Sequence, residues 1–234
     1  MRLEQPKTAM ILAAGRGTRL GALGRKKAKS LLELDGKPLI QHHIEKLRCA
    51  GFEKIVINVS HLAEQIKDFL SSTEDWKIEL SFSEEPEPLE TAGGIAFALD
   101  QIDSDIFPVI NADVFTTFEY ELFNPVIKQL NDKKTLSSFL YLVPNPTHHP
   151  GGDFALDRDA VTLTGTDKKT FSGLGVYRRA LFENLKRGDS YPLAPILHTE
   201  IAAGRTAGAQ LKGFWSDVGT LDRYRRAEEF LSNQ

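Results

Sequence analysis

Along the first half of the chain, short unbroken apolar runs take turns with longer stretches whose apolar residues recur at helical spacing. Residues 8–13, 54–59, 78–83 and 107–111 are the runs, and they predict buried strands. Residues 38–50 place Leu39, Ile40, Ile44 and Leu47 on one face and stop at Gly51, which predicts a helix. Residues 61–70, with Leu62, Ile66, Phe69 and Leu70 turned inward, and residues 91–99, with Thr91 as the candidate cap, predict two more. Strand and helix alternate, so the expected fold is α/β: a Rossmann-like, mixed but mainly parallel sheet with helices on both faces and right-handed crossovers.

The second half is less regular. Residues 136–143, 154–156 with 160–163, and 171–177 predict strands of a mixed or antiparallel extension. Residues 180–186, 193–203 and 221–231 predict helices, and 207–215 a further strand. No repeat, low-complexity segment or Pro/Ser-rich linker divides the chain. Residues 1–234 therefore read as a single domain.

Composition narrows the function classes. With 41% hydrophobic and 26% charged residues the chain is ordinary for a globular protein. A net charge of -3 gives no electrostatic case for binding nucleic acid or a membrane surface, so any anion site has to be local. The single cysteine, Cys49, excludes an internal disulfide and a Cys-rich metal site, and beside Leu47 and Ala50 it reads as a buried thiol. The apolar stretch at 9–14 is too short for a signal peptide and no run approaches bilayer length, so a cytoplasmic location is expected.

In open α/β sheets ligands bind beyond the carboxyl ends of the strands, which directs attention to the residues after Ala13, Ser83, Ile110 and Trp215. The first of these turns is Leu12-Ala13-Ala14-Gly15-Arg16-Gly17-Thr18-Arg19-Leu20. Its glycines let the backbone approach phosphate, its successive amides can form an anion-binding nest, and Arg19 adds a bidentate donor. A Gly-x-Gly turn after a strand is also a common structural turn, and this spacing fits neither a dinucleotide fingerprint nor a Walker loop. Lys29 follows within Arg25-Lys26-Lys27-Ala28-Lys29-Ser30-Leu31, placed to neutralise a phosphate. The other basic residues there read equally well as a solvated loop.

Asp113 ends Asn111-Ala112-Asp113 after the fourth strand, as a magnesium ligand or a turn residue. Asp217, in Trp215-Ser216-Asp217-Val218-Gly219-Thr220, is the second acidic candidate, with a helix cap as its competing role. Magnesium held by substrate phosphates needs only one or two protein carboxylates. The segment from Glu84 to Gly94 opens a helix with small residues that leave room for a planar base. His42, His43 and His61 lack a metal partner at ligand spacing, and the adjacent His148 and His149 are poor geometry for one zinc.

Taken in order, these segments resemble the sugar nucleotidyltransferases, the nucleoside-diphosphate-sugar pyrophosphorylases. That family's pattern is a Leu-Ala-Ala-Gly-x-Gly-Thr-Arg loop, a Pro-Lys-Pro-like segment, an Asp after the fourth strand, and Asp-Val-Gly-Thr near the end. Here Ala28-Lys29-Ser30 departs from Pro-Lys-Pro. Residues 87–95, 111–114, 145–149, 152–154, 171–173 and 213–220 are similar to the uridylyltransferases that act on N-acetylmuramic acid α-1-phosphate in peptidoglycan recycling.

The resemblance implies the nucleotidyltransferase, GT-A-like form of the fold, with a nucleotide-binding half at 1–115 and a sugar-binding half at 116–234. It implies transfer of a nucleotidyl group, from UTP in that subgroup, to a sugar 1-phosphate with release of pyrophosphate. Arg19 and Lys29 would be catalytic, and Asp113 and Asp217 would hold Mg2+. Leu12, Ala13, Ala14, Gly15, Gly17, Thr18, Glu85, Thr91, Gly93 and Asn111 would contact the nucleotide, Glu85 accepting the N3–H of uracil. Gly152, Asp153, Ser172 and Gly173 would face the sugar, with Lys168 a candidate to reach its phosphate. Partners would be small molecules only; the sugar and the oligomeric state stay open. The rival readings are another family pair such as dTTP with glucose 1-phosphate, a glycosyltransferase on a similar sheet, and a non-catalytic nucleotide-sugar sensor. Asn111 stands where a glycosyltransferase's Asp-x-Asp would begin, and a sensor has no need to keep Arg19, Lys29, Asp113 and Asp217 together.

Overall fold

Consecutive side chains of β1 (Thr8–Leu12) enter opposite cores: Ala9 and Ile11 pack on one side, Met10 on the other. A strand buried on both faces must be apolar without interruption, which is why its sequence shows no alternation. The computed structural model describes residues 7–72 and 75–232. The remaining strands of the main sheet are β2 (Lys54–Val59), β3 (Glu79–Glu84), β4 (Ile106–Asn111), β5 (Ser138–Val143), β6 (Phe154–Asp157), β7 (Ala160–Thr162), β8 (Lys168–Arg178) and β9 (Thr206–Gln210). Their spatial order is β3-β2-β1-β4-β8-β5-β9-β7-β6. The first four are parallel, β8 runs against both its neighbours, and β9 is parallel to β5. The sheet is thus mixed, with its parallel part in the first half of the chain.

Helices α1 (Leu39–Cys49), α2 (Ala63–Ser72) and α4 (Phe123–Asp132) cover one face; α3 (Glu90–Ala98) and α5 (Leu193–Ala202) cover the other. The last helix, α6 (Leu221–Ser232), joins a third, smaller core with Leu20, Leu32, Leu34, Phe115 and Val218. That core ties the two ends of the chain together beneath the turn after β1.

Several expectations need correction. Residues 180–186 do not form an α-helix; a single 3-10 turn at Arg179–Leu181 is followed by irregular turns. The segment is short, and i→i+3 bonds such as Phe182 N–H to Arg179 O close it instead of a costly helical nucleus. Residues 207–215 are not one strand. After β9 the chain turns at Gly213 (φ +99°) and Trp215–Asp217 pairs with Val114–Thr116 in a separate two-stranded ribbon. Thr91 does not cap α3, which starts at Glu90; the amides of Ala92 and Gly93 donate to Tyr191 O. Cys49 is exposed. Helix α4 was not foreseen: Pro125 breaks the pattern, yet in the first turn no amide is required of it.

Candidate active site

The register of the parallel strands sets Leu12 of β1 level with Asn58 of β2 and Asn111 of β4, so three strands end on one line. The turn after β1 is anchored there. Ala13 N–H donates to Asn58 Oδ1 at 2.8 Å, and Ala112 N–H to Leu12 O at 2.9 Å. Asn58 Nδ2 in turn donates to Glu85 Oε1 at 2.6 Å, while Leu89 N–H donates to Oε2 at 2.9 Å. Glu85 is 3% exposed. Burial raises its pKa, and the donors from Leu89 and Asn58 offset only part of that rise.

Over these strand ends lies a cleft of about 300 Å³ lined by Leu12, Ala13, Ala14, Gly15, Lys29, Glu85, Thr91, Asn111 and Asp113, with Ser30, Asn58 and Glu90 among the rest. Gly15, Arg16, Thr18 and Arg19 are exposed; Gly15 lines this cleft, and Arg16 and Thr18 line a neighbouring one that shares Pro88 with it. Among the described residues, no protein acceptor meets the amides of Gly15 to Thr18. Gly17 needs its glycine: φ is +60°, and its carbonyl is so close to buried Gly24 that a Cβ on Gly24 would lie 2.2 Å away. The basic segment beyond is pinned to α2 by one side chain. Gln65 accepts Ala28 N–H at 3.0 Å and donates to Lys26 O at 2.9 Å.

Lys29 and Asp113 form an ion pair in which the lysine side chain is 11% exposed. Burial pushes the Asp113 pKa up, but the charge and hydrogen bond of Lys29, with Arg19 behind it, outweigh this and hold it below the usual range. The ribbon described above brings Asp217 alongside: it faces Val114, and Val218 N–H donates to Asp113 O at 2.7 Å. Asp217 Oδ2 accepts from Arg223, whereas Oδ1 is buried without a hydrogen bond and faces His148 Nε2 at 3.5 Å. No set of three or more His, Cys, Asp or Glu ligands exists among the described residues. Two carboxylates, one with an orphaned oxygen, suit a hard divalent cation that takes its other ligands from phosphates and water.

A second cleft of about 590 Å³ shares Glu90, Thr91 and Asn111 with the first and adds Gly152, Asp153, Phe154, Lys168, Leu197 and His198. Asp153 is held from both sides, by His149 Nε2 at 3.0 Å and Phe171 N–H at 2.8 Å. Ser172 and Gly173 stand differently from the other candidates. Ser172 is buried, accepts Leu174 N–H on Oγ and accepts Trp215 Nε1–H on its carbonyl. Gly173 (φ +78°) makes room for Asn111, whose Nδ2 would be 2.7 Å from a Cβ there. Gly93 lies behind the first cleft, packed so closely on residues 189–191 that a Cβ would meet Asp189 O at 2.6 Å.

Two contributors, Asn58 and Arg223, escaped the motif reading, and Glu90 lay inside a recognised stretch without being assigned a role. Asn58 is the penultimate residue of an apolar strand, with nothing in its local pattern to mark it. Gly94 supports the same pair from below, since a Cβ there would sit 2.5 Å from Glu85 Oε1 and 2.8 Å from Asn58 Nδ2. On the expectation that this cleft takes a nucleoside triphosphate, Gly94→Ala should push Glu85 off Asn58 and weaken that binding about tenfold, the cost of roughly one hydrogen bond. Calorimetric titration of the variant checks this, and unchanged affinity counts against the pair's role.

Comparison with known proteins places the fold and the chain in a class. Two solved structures superpose on nearly the whole chain: apo-UDP-glucose pyrophosphorylase, TM-score 0.79 at 16% identity, covering 97% of this chain and 98% of that one; and HddC from Yersinia pseudotuberculosis complexed with GMP-PN, TM-score 0.77 at 22%, covering 96% and 99%. At such identities they establish the fold alone. The nucleotidyl transferase family model matches residues 8–149. The chain is 41% identical over 224 residues to the N-acetylmuramate alpha-1-phosphate uridylyltransferase of Neisseria meningitidis serogroup B, covering 94% of this chain and 96% of the relative. It is 30% identical to the mannose-1-phosphate guanyltransferase of Gibberella zeae, spanning 62% of that protein's length. This chain belongs to the nucleotidyl transferase family.

Proposed function

We propose that this protein transfers a uridylyl group from UTP to N-acetylmuramic acid α-1-phosphate, with Mg2+, in the cytoplasmic reuse of peptidoglycan sugar. Its support is the meeting of Lys29, Asp113 and Asp217 beside a turn of unmet amides, together with the 41% identity to the Neisseria enzyme over almost its full length. An oxygen of the sugar phosphate attacks the α-phosphorus in line, and the bond from that phosphorus to the bridging oxygen of the β-phosphate breaks, releasing pyrophosphate. The attacking oxygen is already ionised, so no general base is needed; positioning and charge neutralisation suffice.

In this reading the amides from Gly15 to Thr18 and the Arg19 guanidinium hold the β- and γ-phosphates. Lys29 offsets charge on the α-phosphate. Magnesium, held by Asp113 and Asp217, would supply Lewis acidity and a template for the two substrates. Glu85, steadied by Asn58 and Leu89, accepts the N3–H of uracil. The second cleft, with its apolar floor and Lys168, takes the sugar. Pyrophosphate release is the test, run with magnesium, each nucleoside triphosphate and the 1-phosphates of N-acetylmuramic acid, N-acetylglucosamine, glucose and mannose. Highest kcat/KM with UTP and the muramate substrate supports the reading. Preference for another pair replaces the substrates and leaves the chemistry. No release from folded protein that still binds nucleotide removes the enzyme reading altogether.

A further inference from the structure

Leu221-Asp222-Arg223-Tyr224-Arg225-Arg226 looks like the solvated start of a basic helix. Arg225 and Arg226 are indeed exposed, but Arg223 is only 8% exposed. Burying a guanidinium is costly unless its donors are met. Nη1 places both of its hydrogens, one on Asp217 Oδ2 at 2.6 Å and one on His148 Nε2 at 2.6 Å, while Nε is buried without a partner, so the burial is only partly compensated. Nη2 lies so close to Gly219 that a Cβ there would be 2.1 Å from it. Gly219 does not adopt a positive φ, so backbone freedom is not what demands glycine at this position.

We propose that Arg223 is a positioning residue for the metal carboxylate. By holding Oδ2 and at the same time occupying His148 Nε2, which stands 3.5 Å from Oδ1, it fixes the Asp217 side chain and leaves Oδ1, which has no hydrogen bond, as the oxygen offered to a divalent cation. Gly219 is glycine because the guanidinium lies against it. This rests on the assignment of Asp217 to magnesium made above. Groups behind a metal ligand orient it, and their loss commonly weakens metal binding 10- to 100-fold. Repulsion between guanidinium and cation acts the other way, and a direct binding measurement reads the sum.

The probe is Mn2+, followed by electron paramagnetic resonance on the whole protein with UTP present and sugar phosphate absent, so that nothing turns over. Arg223→Met is expected to weaken Mn2+ binding roughly 10- to 100-fold, and Arg223→Lys to recover part of the loss. Gly219→Ala, which keeps the arginine but displaces it, should weaken Mn2+ to a similar degree. Combining Gly219→Ala with Arg223→Met should be no worse than Arg223→Met alone. Thermal unfolding of each variant comes first; if the methionine variant does not fold, Gly219→Ala and Arg223→Lys carry the test. Unchanged or tighter Mn2+ binding in folded variants overturns the proposal, as do additive losses in the double variant. Asp217→Asn separates the two levels. If it leaves Mn2+ affinity intact, the metal assignment itself fails; if it weakens binding while Arg223→Met and Gly219→Ala do not, only the role of Arg223 fails.

Discussion

Lys29→Ala is expected to lower kcat about 10²–10³-fold, the range seen when one preorganised charge contact to a transition state is removed. The side chain is nearly buried and already paired with a carboxylate, so its charge acts in partly desolvated surroundings rather than in bulk solvent. A second signature follows from the same pair. In Asp113 burial raises the pKa, and Lys29 with Arg19 reverses that rise. Without Lys29 its two contributions are lost and Arg19 with a backbone hydrogen bond are left against burial, so the carboxyl titrates higher than in the wild type. The carboxylate form is the one that binds metal, hence the acid limb of the kcat/KM profile should move to higher pH in the variant. A loss of only a few-fold, with an unmoved acid limb, removes Lys29 from the catalytic group.

Asp113→Asn should be at least as damaging. A bound metal contributes several kcal/mol to a phosphoryl-type transition state, and each ~1.4 kcal/mol is a factor of ten in rate, so a loss on the order of 10³-fold is expected. The amide keeps the shape of the side chain, which separates charge from packing. Rates measured over a magnesium series decide the matter: a variant that saturates with magnesium at the wild-type rate shows that Asp113 is not a ligand. Chelation with EDTA should silence the wild type and change the variant's residual rate little.

The parallel half of the fold was legible because its inner strands β1, β2 and β4 are buried on both faces and α1 and α2 on one, so position in the fold is written as composition. β2 matched to the residue, and α1 buried the predicted Leu39, Ile40, Ile44 and Leu47. Elements set by tertiary contact were not legible. α4 hides behind Pro125, and the split of 207–215 depends on Gly213 turning the chain beside Thr117. The site divides in the same way. The turn after β1, Lys29, Asp113 and Asp217 stand at chain positions that strand ends and motif order pick out, and the fold brings them together. Asn58 and Arg223 are polar side chains in ordinary contexts, and only the partners they meet across the fold give them work. Ser172 and Gly93 show the converse: they sit in recognisable stretches but face the interior, where one is bonded to Trp215 and Leu174 and the other is packed on residues 189–191.

Ala28 has backbone angles a proline would accept, φ −56° and ψ 133°, but a proline could not donate the hydrogen that Gln65 receives. The segment carrying Lys29 therefore has a noncovalent latch on α2, added to the burial of Ala28 and Leu31, where a proline ring would have restrained its own backbone. A latch can be undone without breaking the fold, by mild heat, by urea or by a fraying α2. The cation at the reaction centre is then as steady as its neighbouring helix, and catalytic competence should decay in step with α2 before the sheet gives way.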